Sequence, residues 1–286
     1  MFKSLVSLYN SPYNKKHPVF ALYRLSLWKI IKALKLKNIK FRIWNNRKIF
    51  LNHDSFQSMW IMYNYIVDWE EFNLIRDYVD SKDNIADVGT NMGFYTIWMS
   101  KFISEGHIHS FEPDTINFKK LTDNIRINNI ESMVKANNIA LSDINGSLDF
   151  TVSFDGENHI ATEENANTRK VHSRCFDDYC RETRINHLSY VKVDIEGFEY
   201  NFLKGSIELL ENKKIDILQL EINSTLKNSS KSTEDLIELL TQYGYKLYKY
   251  NVEKKELITI NYTTDRENYF AVSNIEAVNL RLTLNL

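Results

Sequence analysis

Asp87, Gly89, Asn91 and Gly93 fall within one short stretch, Asp87-Val-Gly-Thr-Asn-Met-Gly93, which joins an acid to a sharply turning, bare backbone. Glycine permits positive φ and lets a second group approach the main chain closely. The run before it, Asn84 to Val88, is mostly apolar and reads as a strand inside a parallel sheet, while Phe94 to Phe102 continues with helical periodicity. A helix start at that turn leaves unpaired N–H groups aimed at one crevice. About 20 residues on, His107-Ile-His-Ser-Phe-Glu112 reads as a second strand ending in an acid, the placement that hydrogen-bonds ribose hydroxyls in doubly wound folds. Together the two stretches predict a nucleoside-containing ligand with Glu112 on its ribose. The Gly-x-Asn-x-Gly spacing departs from the Gly-x-Gly-x-x-Gly of dinucleotide binders.

The elements that position these residues alternate as strand and helix. After Asn84–Val88 and its helix, His107–Phe111 is followed by a helix over 115–128, then a strand over 134–141. Leu148, Phe150 and Val152 alternate with polar neighbours in a half-exposed strand over 146–153. Residues 155–170 lose all period and read as a functional loop. Strands over 190–194 and 216–222, helices over 198–210 and 231–243, and a closing antiparallel pair at 245–250 and 269–273 complete the pattern. Such alternation implies an α/β fold with right-handed crossovers and a seven-stranded, mostly parallel sheet whose final strand is antiparallel.

The chain has 286 residues, 43% hydrophobic and 26% charged, which fits a globular fold with an N-terminal extension; the boundary is expected between residues 58 and 59. Two cysteines, Cys175 and Cys180, are too few for a disulfide scaffold or a zinc site and fit a reducing cytoplasm. The net charge of −1 hides an asymmetry: residues 1–50 hold twelve Lys or Arg and no acid. Such a basic arm suggests an anionic partner. Helical spacing over 18–37 puts Phe20, Tyr23, Leu27, Ile30, Ile31 and Leu34 on one stripe, interrupted by Arg24, Lys29, Lys32 and Lys35. This helix fits either packing on the catalytic domain or peripheral attachment to an anionic inner-membrane surface. Its charges argue against a membrane span, and no nucleic-acid-binding motif accompanies them. Trp60 to Val79 reads as a helix, and Phe41 to Leu51 as a short strand pair.

Six stretches carry a resemblance to a known family: Asp87-Val-Gly-Thr-Asn-Met-Gly-Phe-Tyr-Thr96, Phe111-Glu-Pro113, Ile139-Ala-Leu-Ser-Asp143, Val191-Lys-Val-Asp-Ile-Glu-Gly197, Leu203-Lys-Gly205 and Leu220-Glu221. In order and spacing the chain resembles the FkbM family of S-adenosylmethionine-dependent methyltransferases from about Trp60 to Ser273. Thr90 and Phe176 stand where the family usually has Ala or Val and Leu. The resemblance implies a Rossmann-like class I methyltransferase using S-adenosylmethionine. It places Asp87, Gly89, Asn91 and Gly93 along the methionine moiety, Glu112 on the ribose, and Ala140, Ser142 and Asp143 at the adenine border. A cationic sulfonium suits carboxylate surroundings, and no Lys or Arg lies between Asp87 and Ser100.

The resemblance also implies O-methylation of a hydroxyl on a sugar or glycan precursor, whose proton must be removed. Asn158-His159 matches the family's usual Asn-His, and an imidazole with an ordinary pKa of about 6.5 suits a general base. Asp194, ending its strand, would orient that imidazole or the acceptor hydroxyl, with Glu196 two residues on. The same two acids also fit a plain role at the start of the helix that Gly197 leads. With Glu221 they offer oxygen ligands to a hard cation, although no spacing rule marks such a site. Two other classes remain from the residues alone: an NAD-dependent oxidoreductase, whose glycine spacing fails here, and a catalytically silent docking protein.

Overall fold

The computed structural model describes residues 11–151, 160, 167–222, 231–260 and 267–285. The chain divides into two compact units, Met1–Phe72 and Asn73–Leu286, a division beyond the boundary expected at residue 58.

In the first unit, Pro12–Lys16 and Pro18–Ala33 are helices that start on proline, whose missing N–H is no loss in a first turn. β1 (Ile39–Arg42) and β2 (Lys48–Leu51) form an antiparallel pair. The helical pattern from Trp60 to Val79 is two helices, Phe56–Asn64 and Trp69–Tyr78. Tyr65 ends the first of them with a positive φ of +65°. Arg24 is fully buried and donates to the carbonyls of Ile61 and Met62 in the last turn of the Phe56–Asn64 helix, where Ile61 also accepts the Tyr65 N–H at 2.9 Å. The rings of Phe20 and Tyr65 lie 5.0 and 5.1 Å from its guanidinium. Burial pulls the Arg24 pKa down to about 10. The buried face of the Pro18–Ala33 helix is Ala21, Arg24, Trp28 and Ile31, so Ile30 and Tyr23 of the expected stripe face outward instead.

The second unit is built on an eight-stranded sheet. In chain order its strands and those of a smaller sheet are β3 (Asn84–Val88), β4 (His107–Phe111), β5 (Val134–Asn137), β6 (Ala140–Leu141), β7 (Gly146–Thr151), β8 (Thr168–Arg174), β9 (Leu188–Val193), β10 (Ile215–Ile222), β11 (Lys246–Asn251), β12 (Glu256–Thr259) and β13 (Glu267–Val272). The large sheet has the order β12-β11-β13-β10-β9-β3-β4-β5, and the small one β6-β8-β7. β5, β4, β3, β9 and β10 are parallel. β13 lies antiparallel between β10 and β11, and β12 closes that edge. The expected seven strands are thus corrected to eight. β12 has a single buried residue, Leu257, and so no alternation to read.

From β3 the chain moves outward to β4 and β5, then returns to β9 on the other flank of β3. Strand order reverses there, which opens a crevice outside the carboxyl ends of β3 and β9. One core packs a sheet face, with Ala86, Val88, Phe111, Val191 and Val193, against Phe176, Phe202, Leu203, Leu210, Leu236 and Leu240.

Three other boundaries differ from expectation. The strand read over 134–141 breaks at Asn138, whose amide donates to the carbonyls of Glu112 and Pro113, so β6 joins the small sheet. The helix read over 198–210 is two, Glu199–Lys204 and Ile207–Glu211. Gly205 interrupts them where a Cβ would meet the Ser142 carbonyl oxygen at 2.0 Å. The end of the loop read over 155–170 is the start of β8. Helices Phe176–Thr183 and Ile275–Leu284 were not anticipated.

Candidate active site

The turn after β3 is fixed from two sides. The N–H groups of Gly89 and Thr90 both donate to the Phe111 carbonyl at 3.1 Å, tying it to the end of β4. On the other side Asp194 N–H donates to the Val88 carbonyl at 3.0 Å. Gly89 has φ +76°, and a Cβ there would stand 1.8 Å from the Asp194 carbonyl oxygen. The missing side chain at Gly89 thus makes room for the protein's own β9 turn. Gly93, with φ +90°, likewise leaves room for Leu121, which a Cβ would meet at 2.7 Å. Asn91 takes φ +51°, a conformation that asparagine tolerates better than most residues.

Glu112 is buried at the end of β4. Its two carboxylate oxygens accept the N–H groups of Asn91, at 2.7 Å, and Asp114, at 2.9 Å. These bonds favour the ionised form, but desolvation outweighs them and pushes its pKa up to about 7. Asp114 caps the Thr115–Ile127 helix through Ile116 and Asn117 and pairs with Arg169 of β8 at 2.8 Å. The small sheet is thereby pinned beside the β4 turn.

Asp87 is wholly buried, and burial raises its pKa. One carboxylate oxygen accepts from Thr96 at 2.7 Å, and Thr96 also meets the Ser110 hydroxyl at 2.7 Å. The other, Oδ1, has no hydrogen-bond partner and lies 3.8 Å from the ammonium of Lys192. Lys192 is itself buried, 3.1 Å from Asp194 and 4.9 Å from the Tyr95 ring centre. It bridges the two acids, and the sequence pattern did not single it out. Its place two residues before Asp194, inside the Val191–Gly197 stretch, was the available signal.

Asp194 is partly exposed at the crevice, and the turn after it is strained, with Glu196 at φ +54° and Gly197 at φ +99°. Glu199 holds this turn from inside by accepting the N–H groups of Ile195 and Gly197 at 3.2 and 3.3 Å. Desolvation pushes Glu199 up to about 7 as well. Sequence reasoning missed Glu199, because an acid inside a helix start looks like an ordinary surface residue.

Ala140 and Ser142 are buried beside this region, and Asp143 is exposed. The Ser142 hydroxyl donates to Asp143 at 2.8 Å, and Asn201 donates to the same carboxylate oxygen at 3.1 Å. His159 lies outside the described residues. Among the described residues no three His, Cys, Asp or Glu side chains gather as a metal site, so Asp194, Glu196 and Glu221 form none.

A crevice at a strand-order reversal, with acids at the ends of β3, β4 and β9, suits a cationic, ribose-bearing ligand.

Comparison with known proteins names the family. The model of the methyltransferase FkbM domain matches residues 87–247, more than half of the chain. Hexuronic acid methyltransferase AglP of Haloferax volcanii is 22% identical over 180 residues, which cover 62% of this chain and 72% of that protein. Methyltransferase sdnD of Sordaria araneosa is 29% identical over 153 residues, covering 42% of this chain and 59% of its own. Among solved structures, the METTL16 MTase domain aligns with a TM-score of 0.50 at 14% identity, over 93% of this chain and 96% of that one, a likeness of fold. The chain belongs to the FkbM methyltransferase family, and is a Rossmann-like, S-adenosylmethionine-dependent methyltransferase.

Proposed function

We propose that the protein methylates a hydroxyl of a sugar, on a glycan or polysaccharide precursor, with the transferase in residues 59–286 and a basic extension before it. Support for a sugar comes from the relative AglP, whose name gives a hexuronic acid as its substrate. The observation that carries the donor side is the joining of the β3 and β9 turns, which sets Asp87, Glu112 and Asp194 around one crevice.

Bound S-adenosylmethionine supplies a methyl group on a cationic sulfur. Asp87, Gly89, Asn91 and Gly93 would line its methionine moiety, Glu112 would accept from the ribose hydroxyls, and Ala140, Ser142 and Asp143 would border the adenine. Asp194 and Glu196, past the end of β9, stand on the acceptor side. Asp194 would orient the acceptor hydroxyl, and His159 would hold its proton at an imidazole nitrogen. Alignment of acceptor with donor supplies much of the acceleration in an in-line displacement.

Two measurements test this reading. Labelled-methyl transfer to uronic-acid-containing glycans, compared with glycans of neutral sugars, tests the acceptor, and no transfer to any carbohydrate removes the sugar. His159→Ala should lower turnover by about 100-fold or more with donor affinity unchanged. Full turnover in that variant removes His159 as the base.

A further inference from the structure

We propose that the outward face of the Pro18–Ala33 helix docks the protein on an anionic phospholipid surface. The inward face is already used, since Ala21, Arg24, Trp28 and Ile31 are buried. Val19, Leu22, Tyr23 and Ile30, with Leu34 at the C-cap, are 79%, 65%, 56%, 52% and 64% exposed. At 3.6 residues per turn these five positions fall on the side opposite the buried four. Ser26 lies within the same stripe, and its hydroxyl donates back to the Leu22 carbonyl at 3.0 Å. An ordinary surface helix turns its polar face to water. This one turns an apolar row, broken only by Ser26, to water, the mark of an interaction surface rather than of scattered surface residues.

Charge decides the occupant. Lys15, Lys29, Lys32 and Lys35 are exposed on or next to this helix, and residues 1–50 contain no Asp or Glu. Among the described residues none of these four lysines joins an ion pair. Pairing with a second copy of the same face would oppose lysine to lysine. An anionic bilayer accepts both features together: the apolar side chains enter the acyl boundary, and the lysine stems reach back to the headgroups. The helix has 16 residues, short of the roughly 20 that a span requires, and no described helix is long and apolar enough to cross a membrane. It therefore lies in the plane of the interface.

Flotation of the full chain with phosphatidylcholine vesicles, with and without phosphatidylglycerol, tests the docking. Two triple variants change only exposed side chains: Leu22→Gln/Ile30→Gln/Leu34→Gln and Lys29→Gln/Lys32→Gln/Lys35→Gln. Glutamine keeps helix propensity, and an unchanged thermal melt verifies the fold. The unmodified protein should float with the anionic vesicles and release in high salt, and each triple variant should lose more than about tenfold in partitioning while donor affinity holds. Absence of flotation, equal flotation with neutral vesicles, or wild-type partitioning by either triple variant overturns the proposal. So does an apolar triple variant that turns a dimer into a monomer and floats as before, which would assign the face to a second copy of the chain.

Discussion

Lowering the pH from 8 to 6 should weaken donor binding about tenfold if Glu112, proposed as the ribose ligand, is the group responsible. Its carboxyl is buried and its pKa is about 7 instead of 4.5. The ligand-free fold therefore keeps the proton up to about pH 7, whereas the unfolded chain gives it up near 4.5. Between those values the folded state binds more protons, so the Glu112 contribution to stability falls as pH rises, by roughly 3 kcal/mol in all. A ribose diol donates hydrogen bonds and calls for the ionised acceptor. About one molecule in ten carries that form at pH 6 and about nine in ten at pH 8, and apparent affinity follows the competent fraction. Titration calorimetry in two buffers of different ionisation enthalpy reads both consequences: weaker binding at pH 6, and release of nearly one proton per donor bound there but little at pH 8. Glu199 shares a pKa of about 7, so the Glu112→Gln variant makes the assignment. That variant should bind more weakly at pH 8 and lose the pH dependence. A flat profile in the unmodified protein, or an unchanged slope in Glu112→Gln, would refute the reasoning.

Gly89→Ala should destabilise the protein by more than about 3 kcal/mol, since the added methyl has both a left-handed backbone and the Asp194 carbonyl at 1.8 Å against it. Gly146→Ala, with φ +148° but nothing within 4 Å, should show backbone strain alone, about 1–2 kcal/mol in a denaturant titration. Lys192→Met removes the cation between Asp87 and Asp194 and should cost about 3–5 kcal/mol, part of which Asp87→Asn restores in the double variant. Additive effects in that cycle would mean that no coupling exists. Arg24→Leu should loosen the first unit by about 2–3 kcal/mol, because the Ile61 and Met62 carbonyls lose a buried donor, and faster amide exchange in the Phe56–Asn64 helix is the readout.

What the sequence made legible was local. β3 and β4 have the expected bounds, because an apolar run closed by a glycine turn or by Glu-Pro leaves few alternatives. The failures share a cause. The breaks at Tyr65, Asn138 and Gly205 depend on a positive-φ backbone, a side-chain amide and a close approach of distant main chain. None of these changes the hydrophobic period. The acids of the site could be listed in advance, yet their electrostatics could not. Absence of Lys and Arg from 87–100 suggested a crevice without positive charge, and Lys192 arrives from β9, more than 100 residues along the chain.

That lysine changes how the crevice works. It sits between Asp87, proposed for the donor, and Asp194, proposed for the acceptor, and it balances one of their two charges. The surplus carboxylate favours a cationic donor over the neutral product left when the methyl group has gone. Position is coupled in the same place. The Asp194 N–H bonds to Val88, and the Asp194 carbonyl packs on Gly89, so the donor turn and the acceptor turn share main-chain contacts rather than flexible side chains. A displacement that requires oxygen, carbon and sulfur in line is sensitive to shifts of an ångström. Fixing the two turns to each other through backbone atoms, with glycine as the one residue small enough for the contact, places that alignment in the fold and leaves the choice of acceptor to the residues around it.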